Sequence, residues 1–321
     1  MIVLRHLDHP PNAATGVAVA LGNFDGVHRG HKVVIQTAVD AAREMKAPSA
    51  VLTFEPHPRD LFSPGEDPYR ITPFRSKAAR FQDLGVDVMV AVPFTRAFSQ
   101  MTAEQFVAKY LVGGLQARQV VTGYDFAFGN KRRGDQAFLE AKADEHGFGL
   151  TVVAPVTVEG SDDKFGSSHV RRHLRPGSPV QAAQHLGAWW EILGRVRPGA
   201  SRGHDLGYPT ANLDLGNVLR PKFGIYAVRV RLEGEDQWRT GVANLGIRPM
   251  FEGDVPLLEV HLFDFDRPLY GRHMCVALVE YLRPEAKFES TGALSEAMDG
   301  DSANARRILA DPAYAQDRFT G

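Results

Sequence analysis

Between residues 17 and 160, apolar residues gather into short runs separated by stretches of helical period. The runs at 17–22, 49–55, 86–92, 119–123 and 150–156 read as strands. The stretches at 31–46, 74–84, 103–111 and 135–146 read as helices, joined to the strands by short turns carrying Gly, Pro or Asp. This strict alternation predicts a Rossmann-like α/β domain with a parallel sheet, whose ligands lie beyond the carboxyl ends of the strands. Near residue 185 the pattern changes. Strand-like segments at 190–196, 225–232, 238–245, 256–263 and 275–282 follow one another across glycine-rich or acidic turns. They predict an antiparallel β-barrel, with one C-terminal helix from Ser290 to about Leu309. The change falls within 180–188, so we expect domains at 1–185 and 186–321.

Composition narrows this picture only a little. A chain of 321 residues has room for two cores, and 44% apolar with 23% charged residues excludes wholesale disorder. The 37 basic and 38 acidic residues give a net charge of −1, which offers no global surface for nucleic acid or membrane. Cys275 is the single cysteine, which excludes an intrachain disulfide; its alternating surroundings place it in a core strand. The N-terminus lacks signal-peptide architecture and no apolar run approaches 18 residues, so a cytoplasmic location is expected. Oligomeric state is left open between a monomer and a weak homo-oligomer.

The densest chemistry lies at Gly22-Asn23-Phe24-Asp25-Gly26-Val27-His28-Arg29-Gly30-His31. Here a strand feeds a glycine turn that opens a helix, whose first N–H groups point at any anion placed there. His28 and His31 share a face of the first helical turn and are suited to holding phosphate oxygens. The alternative is a tight turn with two surface histidines. No G-x-x-x-x-G-K-[ST] occurs, so a P-loop is excluded. A second element, Ser167-Ser168-His169-Val170-Arg171, opens a short helix with two hydroxyls and an arginine. Hydroxyls so placed either cap the helix or bind phosphate.

Together these two elements resemble the HxGH and S-[ST]-x-[IV]-R signatures of nucleotidyltransferases. With Thr53–Pro58 (TFEPHP), Gly123–Gly129 (GYDFAFG), Arg132, Gly134 and Asp135, the chain is similar to bacterial bifunctional riboflavin kinase/FAD synthetases over almost its whole length. The resemblance implies that the first domain adenylylates FMN with ATP, releasing pyrophosphate. It places His28 and His31 on the ATP phosphates, with Ser167, Ser168 and Arg171 closing from the opposite side. It assigns Gly22, Asn23, Phe24, Asp25 and Gly26 to nucleotide binding, where Asn23 and Asp25 shape the turn or Asp25 also orients nucleotide or metal. His57 and Asp125 fall where the family holds flavin or adenine, or they form a rigid proline turn and an Asx turn. Arg132 is a phosphate partner or part of an exposed basic loop.

In the second half, Gly199, Gly203 and Gly207 can wrap backbone N–H groups around phosphates. Thr210 and Asn212, two apart in extended chain, project to one side and offer neutral oxygens to Mg²⁺. Pro209-Thr210-Ala211-Asn212 is either a plain turn or, as the resemblance implies, the PTAN signature of riboflavin kinases. Glu259 and His261 alternate onto one strand face, and the resemblance makes Glu259 the general base for the ribityl hydroxyl. The chain departs from the family pattern at Gly166, His204, Met250 and near Ala297. The implied small molecules are riboflavin, FMN, FAD, ATP and Mg²⁺.

Overall fold

The structure is a computed structural model that describes residues 1–63, 65, 67–158, 160, 163–197, 208–250 and 253–315. Its contacts divide the chain into two units, Met1–Gly166 and Ser167–Gly321. The division falls ahead of two helices that the expected boundary at 185/186 assigns to the first domain.

The first unit contains strands β1 (Ile2–Leu4), β2 (Ala18–Leu21), β3 (Ser49–Glu55), β4 (Val88–Pro93), β5 (Gln119–Gly123) and β6 (Gly149–Val153). They form one sheet in the order β1-β4-β3-β2-β5-β6, with every neighbouring pair parallel. Its helices are α1 (Arg29–Glu44), α2 (Pro58–Phe62), α3 (Phe74–Asp83), α4 (Arg96–Ser99), α5 (Ala103–Phe106) and α6 (Gln136–His146). Both faces of the sheet are covered, which explains why its strands read as continuous apolar runs. Val19, Leu21, Leu52, Val90 and Val120 point to one core with Phe106, Leu111 and Leu139. Ala20, Val51, Met89 and Val121 point to the other, with Ile35, Ala38 and Phe81 from α1 and α3. Successive strands step from β2 to β4 in one direction and then resume at β5 on the other side of β2. The order therefore reverses at β2, the crevice where open α/β sheets bind ligands.

The observed elements depart locally from the expected ones. The helix expected over 103–111 is α-helical only through Phe106 and continues as a π-helix over Val107–Gly114. Edge strand β1 was not expected because a three-residue run carries too little periodicity to register.

The second unit opens with α7 (Ser167–Leu174) and α8 (Pro179–Leu186). Strands β7 (Trp190–Arg195), β8 (Ala211–Asp214), β9 (Gly224–Leu232), β10 (Trp238–Met250), β11 (Gly253–Leu262) and β12 (His273–Arg283) follow, then helix α9 (Thr291–Ala310). The strand order is β7-β12-β9-β10-β11-β8, with all pairs antiparallel. A bridge between Arg197 and Asn212 brings the two edges together, so the sheet is a nearly closed barrel. Leu213, Val228, Leu245, Leu258, Val276 and Leu278 are fully buried on strand faces. A further core joins Ala227, Ala277 and Val279 to Ala305 and Leu309 of α9. Cys275 is buried on β12, as its alternating surroundings predict.

Candidate active sites

In the first unit, the Gly22–His31 turn leaves central strand β2 at the reversal point of the sheet. His57 follows neighbouring β3, and Asp125 follows β5 on the other side. Three expected site segments thus leave adjacent strands at their carboxyl ends.

The turn has an unusual backbone. Gly26 takes φ 91°, but Phe24 and Val27 also have positive φ, at 49° and 46°. For a β-branched residue such as Val27 this conformation costs on the order of 1–3 kcal/mol and must be enforced by its surroundings. Gly22 is required for a different reason: a Cβ there would stand 2.9 Å from Cζ of the buried Phe24 ring. The Asp25 carboxylate is 3% exposed and accepts hydrogen bonds from the backbone N–H groups of Ile71 and Thr72. It therefore pins the turn to the segment before α3. The Asn23 carbonyl accepts from Thr53 Oγ1 at 2.9 Å and Lys77 Nζ at 3.3 Å, and the Gly26 carbonyl from Arg80 Nη1 at 3.1 Å. A trans peptide sets its C=O and N–H on opposite sides, so this fastening turns the Phe24 N–H away from α3.

His28 is the N-cap of α1, its Nδ1 accepting the His31 backbone N–H at 3.3 Å. The His28 and His31 rings stack at 3.5 Å between centroids, and Phe24 meets the His31 ring edge-on at 5.2 Å. Both imidazoles are thus held at a helix N-terminus, where the backbone dipoles favour negative charge. Burial, and then the charges of Arg80 and Arg29, hold the Lys32 ammonium below its usual range. Mutually repelling cations beside a helix N-terminus suit a site that receives an anion. His57 is likewise an N-cap, of α2, its Nδ1 accepting the Arg59 N–H at 3.2 Å. Asp125 and Arg132 are exposed.

Ser167 and Ser168 open α7 as expected, and Arg171 on the same helix is 6% exposed. These residues fall in the second unit.

In the barrel, Asn212 on β8 lies directly opposite Glu259 on β11, and Glu259 lies opposite Asn244 on β10. Cross-strand partners share a face, so the three form one row. Asn212 is 3% exposed, and its Oδ1 is buried without a hydrogen-bond partner among the described residues. Burying an amide oxygen in this way is costly unless a ligand satisfies it. Asn244 Nδ2 donates to Glu285 Oε1 at 3.2 Å, and its buried Oδ1 also lacks a partner among the described residues. His261 Nδ1 pairs with the Pro209 carbonyl at 3.0 Å, tying the residue before Thr210 to β11. Tyr208 packs 4.8 Å from the His261 ring and hydrogen bonds Asp299 of α9. Gly199, Gly203, His204 and Gly207 lie outside the described residues.

Three positioning side chains are not among the expected site residues. Lys77 carries a faint signal, because it shares the apolar stripe of α3 with Phe74, Ala78 and Phe81. Asn244 opens the segment Asn244–Pro249, which resembles the family pattern as a turn or flavin-pocket wall, and Arg80 carries no signal.

An α/β unit with a histidine-capped turn at its strand-order reversal, on one chain with a barrel bearing an Asn212–Glu259 pair, defines a two-domain transferase class. A family model described as FAD synthetase matches residues 11–168, and one described as riboflavin kinase matches 186–309. The chain is 37% identical to the bifunctional riboflavin kinase/FMN adenylyltransferase of Escherichia coli K12, over 92% of this chain and 93% of that protein. It is 39% identical to the Pseudomonas fluorescens protein of the same name, over 98% of this chain and all of that one. A solved structure from Streptococcus pneumoniae, described as a macrolide-efflux protein, matches with TM-score 0.83 at 29% identity, covering 95% of this chain and 98% of that one. The efflux description belongs to that protein; among the described residues here, no helix is long and apolar enough to cross a membrane. The chain belongs to the bifunctional riboflavin kinase/FMN adenylyltransferase family.

Proposed function

We propose that this chain phosphorylates riboflavin to FMN with ATP and then adenylylates FMN to FAD, releasing pyrophosphate. The observation that carries this reading is the presence of both constellations on one chain that matches both family models. We assign 1–185 to adenylyl transfer and 186–321 to the kinase, and we place the enzyme in the cytoplasm.

In adenylyl transfer, an FMN phosphate oxygen attacks the α-phosphorus of ATP and the bond to pyrophosphate breaks. No protein nucleophile is needed; positioning and charge stabilisation carry the rate. His28 uses Nδ1 to cap α1, so its contact with phosphate falls to Nε2. His31 stacks against it and serves the same oxygens. Ser167, Ser168 and Arg171 supply donors from α7, and Arg132 supplies a further cation. His57 and Asp125 border flavin or adenine, while Gly22, Asn23, Phe24, Asp25 and Gly26 hold the turn.

In the kinase reaction, the terminal ribityl hydroxyl attacks the γ-phosphorus, ADP leaves, and Glu259 takes the hydroxyl proton. Thr210 and Asn212 would hold Mg²⁺; the buried Oδ1 of Asn212, without a hydrogen-bond partner among the described residues, suits a hard cation that prefers oxygen. When bound, the ion neutralises charge on the transferring phosphates. Gly203 and Gly207 are assigned to the phosphate cradle.

The test is incubation with riboflavin, ATP and Mg²⁺, with the flavins separated over time. FMN should rise first and FAD follow. FMN without FAD would overturn the first assignment, and the absence of FMN the second.

A further inference from the structure

We propose that Lys77 and Arg80 are positioning residues for adenylyl transfer, a two-cation clamp on α3 that holds the Gly22–His31 turn in its reactive shape. The proposal rests on the reading that this turn receives the phosphates of ATP.

The two residues are three apart on α3, one turn of helix, and each donates to a carbonyl of the turn. Lys77 Nζ lies 3.3 Å from the Asn23 carbonyl and Arg80 Nη1 lies 3.1 Å from that of Gly26. The fastened peptides flank the residues with the least favourable backbone. Phe24 directly follows Asn23, Val27 directly follows Gly26, and both carry positive φ without being glycine. Such a conformation persists only where its surroundings over-determine it. Here the surroundings are the clamp, Thr53, and the Asp25 carboxylate pinned to the Ile71 and Thr72 N–H groups. Asp25 and the clamp hold the turn at residues 23, 25 and 26 and define the path of the chain into His28.

Lys77 is also an expensive residue to place where it stands. It is 4% exposed, on the helix face that also carries Phe74, Ala78 and Phe81, and burying an ammonium there carries a desolvation penalty. Burial accordingly holds its ammonium below the usual range, against the pull of Glu55 and Asp25. The Glu55 carboxylate lies 3.8 Å away and is paired more closely with Arg70, at 2.6 Å, which also holds Asp60 at 3.1 Å. What an apolar residue could not do is reach Thr53 Oγ1 at 3.4 Å and the Asn23 carbonyl together. That pair of acceptors fixes the orientation of the peptide between Asn23 and Phe24. From there the chain runs directly to the two histidines. A small displacement of catalytic groups costs rate more than binding, because alignment matters most in the transition state.

The two activities of the full chain supply the control. Lys77→Met, Arg80→Met and Arg80→Lys are each assayed for FMN adenylylation and for riboflavin phosphorylation, with kcat and KM for ATP measured separately. We expect both Met variants to lose about 10²-fold in kcat for FAD formation, with KM for ATP little changed. Arg80→Lys, which keeps a donor for the Gly26 carbonyl, should recover most of that loss. Riboflavin phosphorylation should be unaffected in all three. If Lys77→Met disrupts the first unit, the Arg80 pair decides alone. Wild-type kcat in Arg80→Met would overturn the clamp, as would equal losses in Arg80→Met and Arg80→Lys. His28→Asn separates this failure from that of the underlying reading. FAD formation surviving in His28→Asn removes the phosphate site itself; its loss there alongside a fully active Arg80→Met removes only the clamp.

Discussion

In the proposed adenylyl transfer, His28 serves the fold and the chemistry through two nitrogens of one ring. Nδ1 caps α1 by accepting the His31 N–H, and the stacked His31 ring fixes the plane of the imidazole. Replacing it with alanine would therefore mix two losses, about 1 kcal/mol of cap and the catalytic contact itself. Asparagine separates them, since its side-chain oxygen caps as well as any residue. We expect His28→Asn to melt within a degree or two of the parent while losing on the order of 10²-fold or more in kcat for FAD formation. A full-rate His28→Asn enzyme would show that the histidine is structural. The same dual use was only half visible beforehand. The spacing of His28 and His31 announced a shared helical face, but nothing in the residues themselves distinguished the capping nitrogen from the ligand one. At His57, likewise, the structure finds an N-cap of α2, with Pro58 at the first helical position where proline is favoured.

At the scale of elements, periodicity carried most of what could be read. Strands buried on both faces are apolar throughout, amphipathic helices repeat, and the antiparallel strands alternate, so most announced themselves, although β1, β8 and α8 did not. Pairing across strands did not. The row Asn212–Glu259–Asn244 joins three segments far apart in sequence, and nothing in the motifs set them beside one another. Nor did the π-helical continuation of α5 show, because its residues suit an α-helix equally well. Glu280 on β12 illustrates another contact that only the folded chain creates. Its carboxylate is half-buried and accepts the Tyr314 hydroxyl at 3.3 Å, just beyond the end of α9. Burial raises its pKa, outweighing the hydrogen bond. A raised carboxyl pKa means the folded state holds its proton more tightly than the unfolded one. Stability from this group is then present below the ordinary value of 4.5 and lost as pH rises through the folded value. Glu280→Gln, which keeps the acceptor and removes the charge, should raise Tm at pH 8, with the gain shrinking as pH falls toward 5. A gain independent of pH would show that ionisation of Glu280 does not limit the barrel.

For the whole molecule, the two reactions share an intermediate, FMN, that is made by one constellation and consumed by the other. Two chemistries on one polypeptide need not be coupled in their kinetics. Asn212 and Glu259 are cross-strand partners within the barrel, while the histidine turn is built entirely from residues of the first unit. A variant lacking one activity should therefore retain the other, and two complementary variants should cooperate through FMN in solution. Asn212→Ala is expected to leave riboflavin unphosphorylated yet convert supplied FMN to FAD, and His28→Asn to accumulate FMN. An equimolar mixture of the two, given riboflavin, ATP and Mg²⁺, should produce FAD after a lag during which FMN builds up. The lag should shorten when FMN is added at the start, because it is then no longer needed from the partner variant. If each variant keeps its own activity but the mixture yields no FAD, FMN must pass between sites without release, and the independence of the two chemistries fails. Should the mixture form FAD with no lag at all, exchange between chains would be direct, and a complex between copies would have to be sought.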